Sequence, residues 1–474
     1  MLSSVLQAPA PRSASARSRL AGLKPRVGAI AQASGDADEI IAGFDSLVRQ
    51  VSVGAHLFAS LNADPSALDV LLQLVTRAPR LAPTIASRPD AFDALIAGRP
   101  SADAMCFAEI ARALCELKAG CGSDTELLRR IQRFTRQHQF LIGARAVLGL
   151  MPIGKAEEAF SKLTLAVVQS LAGLAERKFQ RRHGRAPGCE WALVALGKFG
   201  GGELSATSDL DLMLVYDAPG DAQCSGAAPS LPMTQYFNVL AQSVIAVLGA
   251  SDPDGPLFDV DFRLRPWGNK GPIATRLPTL GDYLEQESWT YERMAMTRAR
   301  VVTGSPRFAA AIDSVIRAAL QRCAGRRELR TDVLEMRALI HTAKATSNPW
   351  DIKHVRGGLI DIEFFAQYLM LRHADEQPAL LHAATAEALR RLCSGGILGL
   401  RDFELLSGAL SSFKHVMQAT RIACVGGPLP EGMSNAFAAY LPATMGESSL
   451  AAVEAKLSRL QACVHDAFDR LTGA

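Results

Sequence analysis

The stretch GGGELSATSDLDLMLVYD, residues 200–217, decides how this chain is read. Three glycines run into a polar turn, and Asp209 and Asp211 then sit one residue apart in an apolar run. A strand sends alternate side chains to opposite faces, so the two carboxylates share one face and Leu210, Leu212 and Leu214 the other. Upstream, EWALVALG (190–197) is a short apolar run closed by glycine, the pattern of a buried strand. Downstream, LFDVDFRLRP (257–266) reads as a third strand ended by Pro266. It presents Asp259, Asp261, Arg263 and Arg265 on one face and Val260, Phe262 and Leu264 on the other.

Carboxylates brought together at such a place are costly unless a cation neutralises them. Mg²⁺ suits them, because it takes oxygen ligands at about 2.0–2.1 Å, usually one or two carboxylates plus substrate phosphates. Glycines let backbone N–H groups approach a triphosphate, and Arg263 and Arg265 are placed to hold phosphate oxygens. Lys198 either reaches a phosphate or is a solvated turn lysine. An acidic pair on one strand is weak evidence by itself, but its company of a glycine turn and a second acidic strand ending in RLRP is far more specific. A calcium loop is excluded, since Met213 and Leu214 stand where a ligand and a glycine are needed. A Walker P-loop is excluded as well, since GKFGGGE lacks the GxxxxGK[ST] order.

A chain of 474 residues predicts two to four domains. Hydrophobic residues make up 49% and charged residues 21%, as in ordinary globular proteins, while aromatics at 6% predict cores of Leu, Ala and Val. A net charge of +4 is too small to argue for nucleic acid or membrane, and no apolar run approaches the roughly 18 residues of a membrane span. The nine cysteines form no CxxC pair, which predicts free thiols in a reducing cytoplasm. No acid precedes Asp36, so residues 1–37 are expected to be a disordered leader. Residues 38–150 read as helices, the clearest being DPSALDVLLQLV, with Asp64 as cap and Leu68, Leu71, Leu72 and Val75 on one face. Residues 151–308 alternate helix and strand, with a loop over 218–232, and form the α/β catalytic domain. Residues 309–474 return to helix, ending in a clean stripe from Leu450 to Leu471. The fold class expected is therefore α+β, a small mixed sheet flanked by all-helical regions.

The run LGKFGGGELSATSDLDLMLVYD, followed by VDFRLRPWGNKGPIATRLPTLGDYLEQESWTYERMAMTRARVV, closely resembles glutamine synthetase adenylyltransferases. These belong to the DNA polymerase β-like nucleotidyltransferase superfamily, whose hallmark is a glycine turn, a DxD strand and a third acid on a later strand. The resemblance covers about residues 40–474. It implies a polymerase β-like nucleotidyltransferase domain that moves AMP from ATP to a tyrosine of glutamine synthetase with Mg²⁺. Asp209, Asp211 and Asp261 fall on the catalytic and metal positions, with Asp261 also assisting deprotonation of the phenol. Gly200, Gly201 and Ser208 would line the phosphate turn, with Lys198, Arg263 and Arg265 on the nucleotide, and Asp259 is an extra acid. GNKGPIATR, ESWTYERMAMTRARVV and WDIKHVRGGLIDIEFFAQYLML resemble the adenylylating half of this bifunctional family, with Asp361 preceding Glu363 where the removing half reads REIEF. Only one set of catalytic motifs occurs, so adenylylation without de-adenylylation is expected. Glutamine synthetase and the PII signalling protein are the partners implied.

Three further readings stand beside it. One is a non-catalytic module docking on glutamine synthetase or PII, another a PII uridylyltransferase-like enzyme, and the third nucleotide addition to RNA, which the modest charge opposes. Arg298 and Arg300 are expected on a helix in surface salt bridges. The entry to the apolar helix at Gly357 and Gly358, beside Lys353 and Arg356, is either an anion contact or a packing device.

Overall fold

The computed structural model describes residues 13–473, except 35, 52–54, 100–102, 221–230, 324, 326–327, 427–428 and 431–432. Seven strands occur among them: β1 Glu190–Ala195, β2 Leu210–Asp217, β3 Ser251–Asp252, β4 Gly255–Pro256, β5 Val260–Asp261, β6 Ala274–Arg276 and β7 Arg300–Val301. β3 and β4 form a separate two-residue hairpin. The other five make a mixed sheet in which β2 lies between β1, antiparallel to it, and β5 and β6, both parallel to it, while β7 pairs with the outer edge of β1. The expected small mixed sheet flanked by helical regions is thus present.

β2 carries Leu210, Leu212 and Leu214 inward as the alternation predicts, but Met213 and Val215 are buried too. The strand is covered on both faces beyond Asp211, which makes its polar face a short one at the strand's N-terminal end. The third strand is only two residues long. Beyond Asp261 the chain turns back through hydrogen bonds from Arg265 N–H to Arg263 O and from Gly268 N–H to Arg265 O. Alternation over Asp259–Arg265 therefore fails, and Arg263 and Arg265 do not continue the face of Asp261.

The helices follow their sequence signals. Pro65–Arg77 is capped by the Asp64 carboxylate, which accepts from Ser66 N–H, with proline in the first turn. Ile153–His183 is the long helix leading into the sheet, and Met233–Leu248 is the helix after β2. Leu450–Thr472 buries Val453, Leu457, Val464 and Phe468, the expected stripe. The loop expected over 218–232 lies mostly outside the described residues.

Two hydrophobic cores result. The helices between residues 14 and 96 close one around Phe44, Phe58 and Phe92. The second is continuous from Ile110 to Phe468, through the sheet, and crosses the expected boundary at 308 and 309 without a break. The helix Asp124–Val147 serves both cores. The expectation of a disordered leader over 1–37 is corrected for Ala14–Ala33, which is a helix with Leu20, Leu23, Val27 and Ala31 buried against its neighbours. Lack of acids is no bar to helix formation when the apolar residues recur on one face; residues 1–12 of that segment lie outside the description.

The C-terminal helices lock onto one another through close backbone approach. Gly357 has φ +75°, and a Cβ there would lie 1.8 Å from the carbonyl oxygen of Gln461 on the last helix. Gly357→Ala should therefore cost stability by two mechanisms, backbone strain and overpacking, together about 2–4 kcal/mol. Urea unfolding followed by circular dichroism should show a clearly lower midpoint, and an unchanged midpoint would mean the helices do not approach this closely.

Candidate active site

The parallel pairing of β2 with β5 puts Asp211 directly opposite Asp261. Asp209 is exposed just ahead of β2. Burial pushes the Asp211 carboxyl above the ordinary aspartate range, and the neighbouring charges of Asp261 and Asp209 push it the same way. Asp261 moves oppositely. Its side chain accepts from Arg263 Nε at 2.8 Å, Arg263 Nη2 at 2.6 Å and Arg263 backbone N–H at 2.7 Å, which hold it below the ordinary range.

Gly197, at the start of the one-turn helix Gly197–Gly201, makes this arrangement possible. It has φ +51°, and a Cβ on it would lie 2.1 Å from Asp211 Oδ2. The expected phosphate-lining glycines do something else. A Cβ at Gly200 would lie 1.9 Å from the carbonyl oxygen of Arg298, and one at Gly201 would lie 2.9 Å from that of Ala383. Gly200 N–H is spent on Leu196 O and Gly202 N–H on Phe199 O. Gly200 and Gly201 are packing glycines outside the cleft, so the space the carboxylates need comes from Gly197, which the sequence reading does not single out.

A cleft of about 450 Å³ opens over Asp209 and Asp211, while Asp261 lines an adjoining depression that shares Asp209 with it. Gly197, Lys198, Ser208, Asp209 and Asp211 line the cleft from the sheet side, Glu363, Gln367 and Arg421 from the C-terminal helices, and Lys353 from the turn before Leu359–His373. Lys198 is thus a cleft residue, not a solvated turn lysine. Burial pushes its amine down to about 8, with the nearby Arg421 cation acting in the same direction. Ser208 closes the turn by donating to or accepting from Ser205 Oγ at 2.8 Å and accepting from Ser205 N–H at 2.9 Å.

Arg265, expected on a phosphate, is instead buried in its own turn, donating to the carbonyl oxygens of Pro272 and Phe262. Arg263 is engaged by Asp261. Asp259 is exposed, and its carbonyl oxygen accepts from Leu210 N–H at 2.8 Å, a ladder role rather than a site role. Among the described residues no group of three or more His, Cys, Asp and Glu side chains is gathered closely enough to hold a metal ion. The donor set of three carboxylates on adjacent strands nevertheless has the chemistry Mg²⁺ takes. The Arg263 guanidinium, on a mostly exposed side chain, occupies the Asp261 carboxylate.

Behind the cleft lies a buried charge network. Arg298 is inside the protein, not on a helix surface, and pairs with Glu203 and, at 3.2 Å, with Glu363. Lys414 reaches Glu203 at 2.7 Å and Glu157 at 3.0 Å, and Thr385 N–H donates to Glu203 at 3.0 Å. Burial works against the Glu203 charge, but the Arg298 and Lys414 cations outweigh it and hold the carboxyl below its ordinary range. Arg300 lies on β7 and donates to the carbonyl oxygens of Gly200 and Phe199. In DIEF, Asp361 forms a fully buried pair with Arg337 while Glu363 faces the cleft. Arg356 points away toward Asp469, and Gly358 packs under Ile352 and Val355, so the glycine entry is a packing device with Lys353 as its one cleft contact. Nothing in single-sequence patterning signals Glu203, Arg298 or Arg421, because their partners are far away in the sequence, as Arg298 is from Glu203 and Arg421 from Ser205.

The cleft thus sets strand carboxylates beside three cations, Lys198, Lys353 and Arg421, a charge pattern suited to a phosphorylated ligand. Residues 68–315 match the family described as glutamate-ammonia ligase adenylyltransferase, and residues 327–471 match the family described as GlnD PII-uridylyltransferase. The chain belongs to the glutamate-ammonia ligase adenylyltransferase family. Among its relatives are proteins named bifunctional glutamine synthetase adenylyltransferase/adenylyl-removing enzyme. One from Rhodopseudomonas palustris (strain TIE-1) is 35% identical over 92% of this chain and 44% of its own length. One from Xanthobacter autotrophicus is 34% identical over 96% and 46%, and one from Brucella suis is 40% identical over 76% and 37%. The chain spans less than half the length of these relatives.

With burial pushing its amine down to about 8, Lys198 loses its charge progressively as pH rises through that region. Binding of inorganic tripolyphosphate, followed by calorimetry, should therefore weaken as pH rises from about 7 to 9. Lys198→Met should bind more weakly at pH 7 and lose most of that pH dependence; a dependence unchanged in the variant would remove Lys198 from the anion site.

Proposed function

We propose that this chain transfers AMP from ATP to a tyrosine of glutamine synthetase in a Mg²⁺-dependent reaction. The observation that carries the reading is the Asp211–Asp261 register with Asp209 ahead of it, beside a cluster of cations. The names of the relatives support the activity, and the order of glycine turn, DxD strand and third acid supports a polymerase β-like nucleotidyltransferase domain. The motifs GNKGPIATR and DIEF favour the adenylylating activity over the removing one.

In this reading Lys198, Lys353 and Arg421 receive the phosphate oxygens. Asp209, Asp211 and Asp261 would hold Mg²⁺, which when bound supplies positive charge to the phosphates. The tyrosine oxygen bonds to the α-phosphorus, the bond to the pyrophosphate oxygen breaks, and the phenolic proton leaves. A phenol of pKa about 10 needs a base at neutral pH. Asp261 accepts a proton poorly while Arg263 holds it, so release of Arg263 both completes the carboxylate set and restores Asp261 as a base. Arg298 fixes Glu363 and the turn at Glu203, and thereby the spacing between sheet and C-terminal helices.

The match of residues 327–471 to the uridylyltransferase family favours one second reading, a uridylyl transfer. That match begins after the acidic strands, so it bears on the helices and not on the carboxylates. It also motivates PII as a regulatory partner. No described helix is long and apolar enough to cross a membrane. The described cysteines are free thiols, which supports a cytoplasmic setting.

With radiolabelled ATP, Mg²⁺ and purified glutamine synthetase, the chain should label the acceptor, and labelled UTP should not substitute. Asp209→Asn combined with Asp211→Asn should lower transfer by about a hundredfold or more while leaving thermal unfolding near that of the parent. Undiminished labelling by the double variant would sink the assignment.

A further inference from the structure

Resting on the reading that the cleft takes a nucleoside triphosphate, we infer that Gln367 is the residue that recognises the adenine base. The cleft has two chemically distinct linings. Charged groups come from the turn after β1, from β2, and from Lys353 and Arg421. Apolar groups come from three mutually packed helices: Met294 on Thr290–Met296, Met336 and Ile340 on Leu329–Ala343, and Phe364 on Leu359–His373. Met336 and Ile340 are four residues apart and so stand on one face, one turn above the other. A flat base is matched to an apolar slot of this kind, and a triphosphate is not.

Gln367 lies in this lining on the same helix, one turn beyond Glu363. It is 8% exposed, and its amide has no hydrogen-bond partner among the described residues. The amide atoms are not themselves fully buried, so within a mostly buried residue they are the part that opens on the cleft, where a ligand can meet them. Two other polar side chains of the lining are engaged, Glu363 by Arg298 and Arg421 by Ser205 Oγ at 3.0 Å. A glutamine amide offers one acceptor and two donors in a plane. That pattern meets an adenine edge in two places, the carbonyl accepting from the 6-amino group and the NH₂ donating to an adjacent ring nitrogen, a pairing glutamine makes with adenine elsewhere. Gln367 is thus a specificity residue, separate from the carboxylates that carry the chemistry.

The test is equilibrium binding of Mg-ATP and of Mg-purine riboside triphosphate, which lacks only the 6-amino group, to the full chain without any acceptor protein. The parent should bind ATP at least about tenfold more tightly, since removing the amino group leaves the amide oxygen unpaired. Gln367→Met, close in volume, should bind the two equally, with the loss confined to ATP. Inorganic tripolyphosphate should bind the parent and Gln367→Met alike, which shows an intact variant. Equal affinities in the parent, or a preference that survives in Gln367→Met, would overturn the inference while the nucleotidyltransferase reading stands. Failure of Mg-ATP to bind the parent at all would instead overturn that underlying reading and the inference with it.

Discussion

Two like charges held side by side dominate this structure. The parallel register of β2 and β5 forces Asp211 against Asp261, and burial raises the cost on Asp211. A fold gains nothing in stability from such a pair, which is why perturbed carboxylates in a cleft mark function more often than architecture. Gly197 is the complement to that constraint, since any side chain there would occupy the place of the Asp211 carboxylate. Arg263 is the other complement, pairing with Asp261.

The site is also composite. The sheet side supplies the carboxylates and Lys198, while the C-terminal helical region supplies Lys353 from a turn and Glu363, Gln367 and Arg421 from helices. Their mutual position depends on the buried network in which Arg298 joins Glu203 to Glu363 and Lys414 joins Glu203 to Glu157. Breaking one member of a buried network leaves its partner's charge uncompensated, at a cost of about 3–5 kcal/mol. Such a network suits a part that must hold two surfaces of a cleft in register, and the single hydrophobic core across residues 110–468 serves the same end.

Much of this was legible in the sequence, and for physical reasons. The helices with caps and stripes, Pro65–Arg77 and Leu450–Thr472, appear where their local signals place them, as do β1 and β2. Period-two alternation places Asp209 and Asp211 on one face, while the choice of Asp261 as the third acid is what the family resemblance implies, and the strand register sets Asp261 opposite Asp211. What local pattern could not supply was the turn after Asp261, which removes Arg263 and Arg265 from the acidic face, since its hydrogen bonds are made by backbone groups that every residue has. The roles of the glycines were misassigned for a related reason. Gly197, Gly200 and Gly201 are alike in sequence, and only the atoms that approach each one separate the glycine under a carboxylate from those under backbone. Arg298 reads as a surface charge until its partners arrive from positions 203 and 363.

The central claim is that this acidic pair serves transfer of an adenylyl group to a protein tyrosine. Tandem mass spectrometry of glutamine synthetase, after incubation with the chain, ATP and Mg²⁺, tests it most directly. The account predicts the added mass of one AMP on a tyrosine, absent when Mg²⁺ is chelated. Unmodified glutamine synthetase, or a modification that persists without the metal, would contradict it.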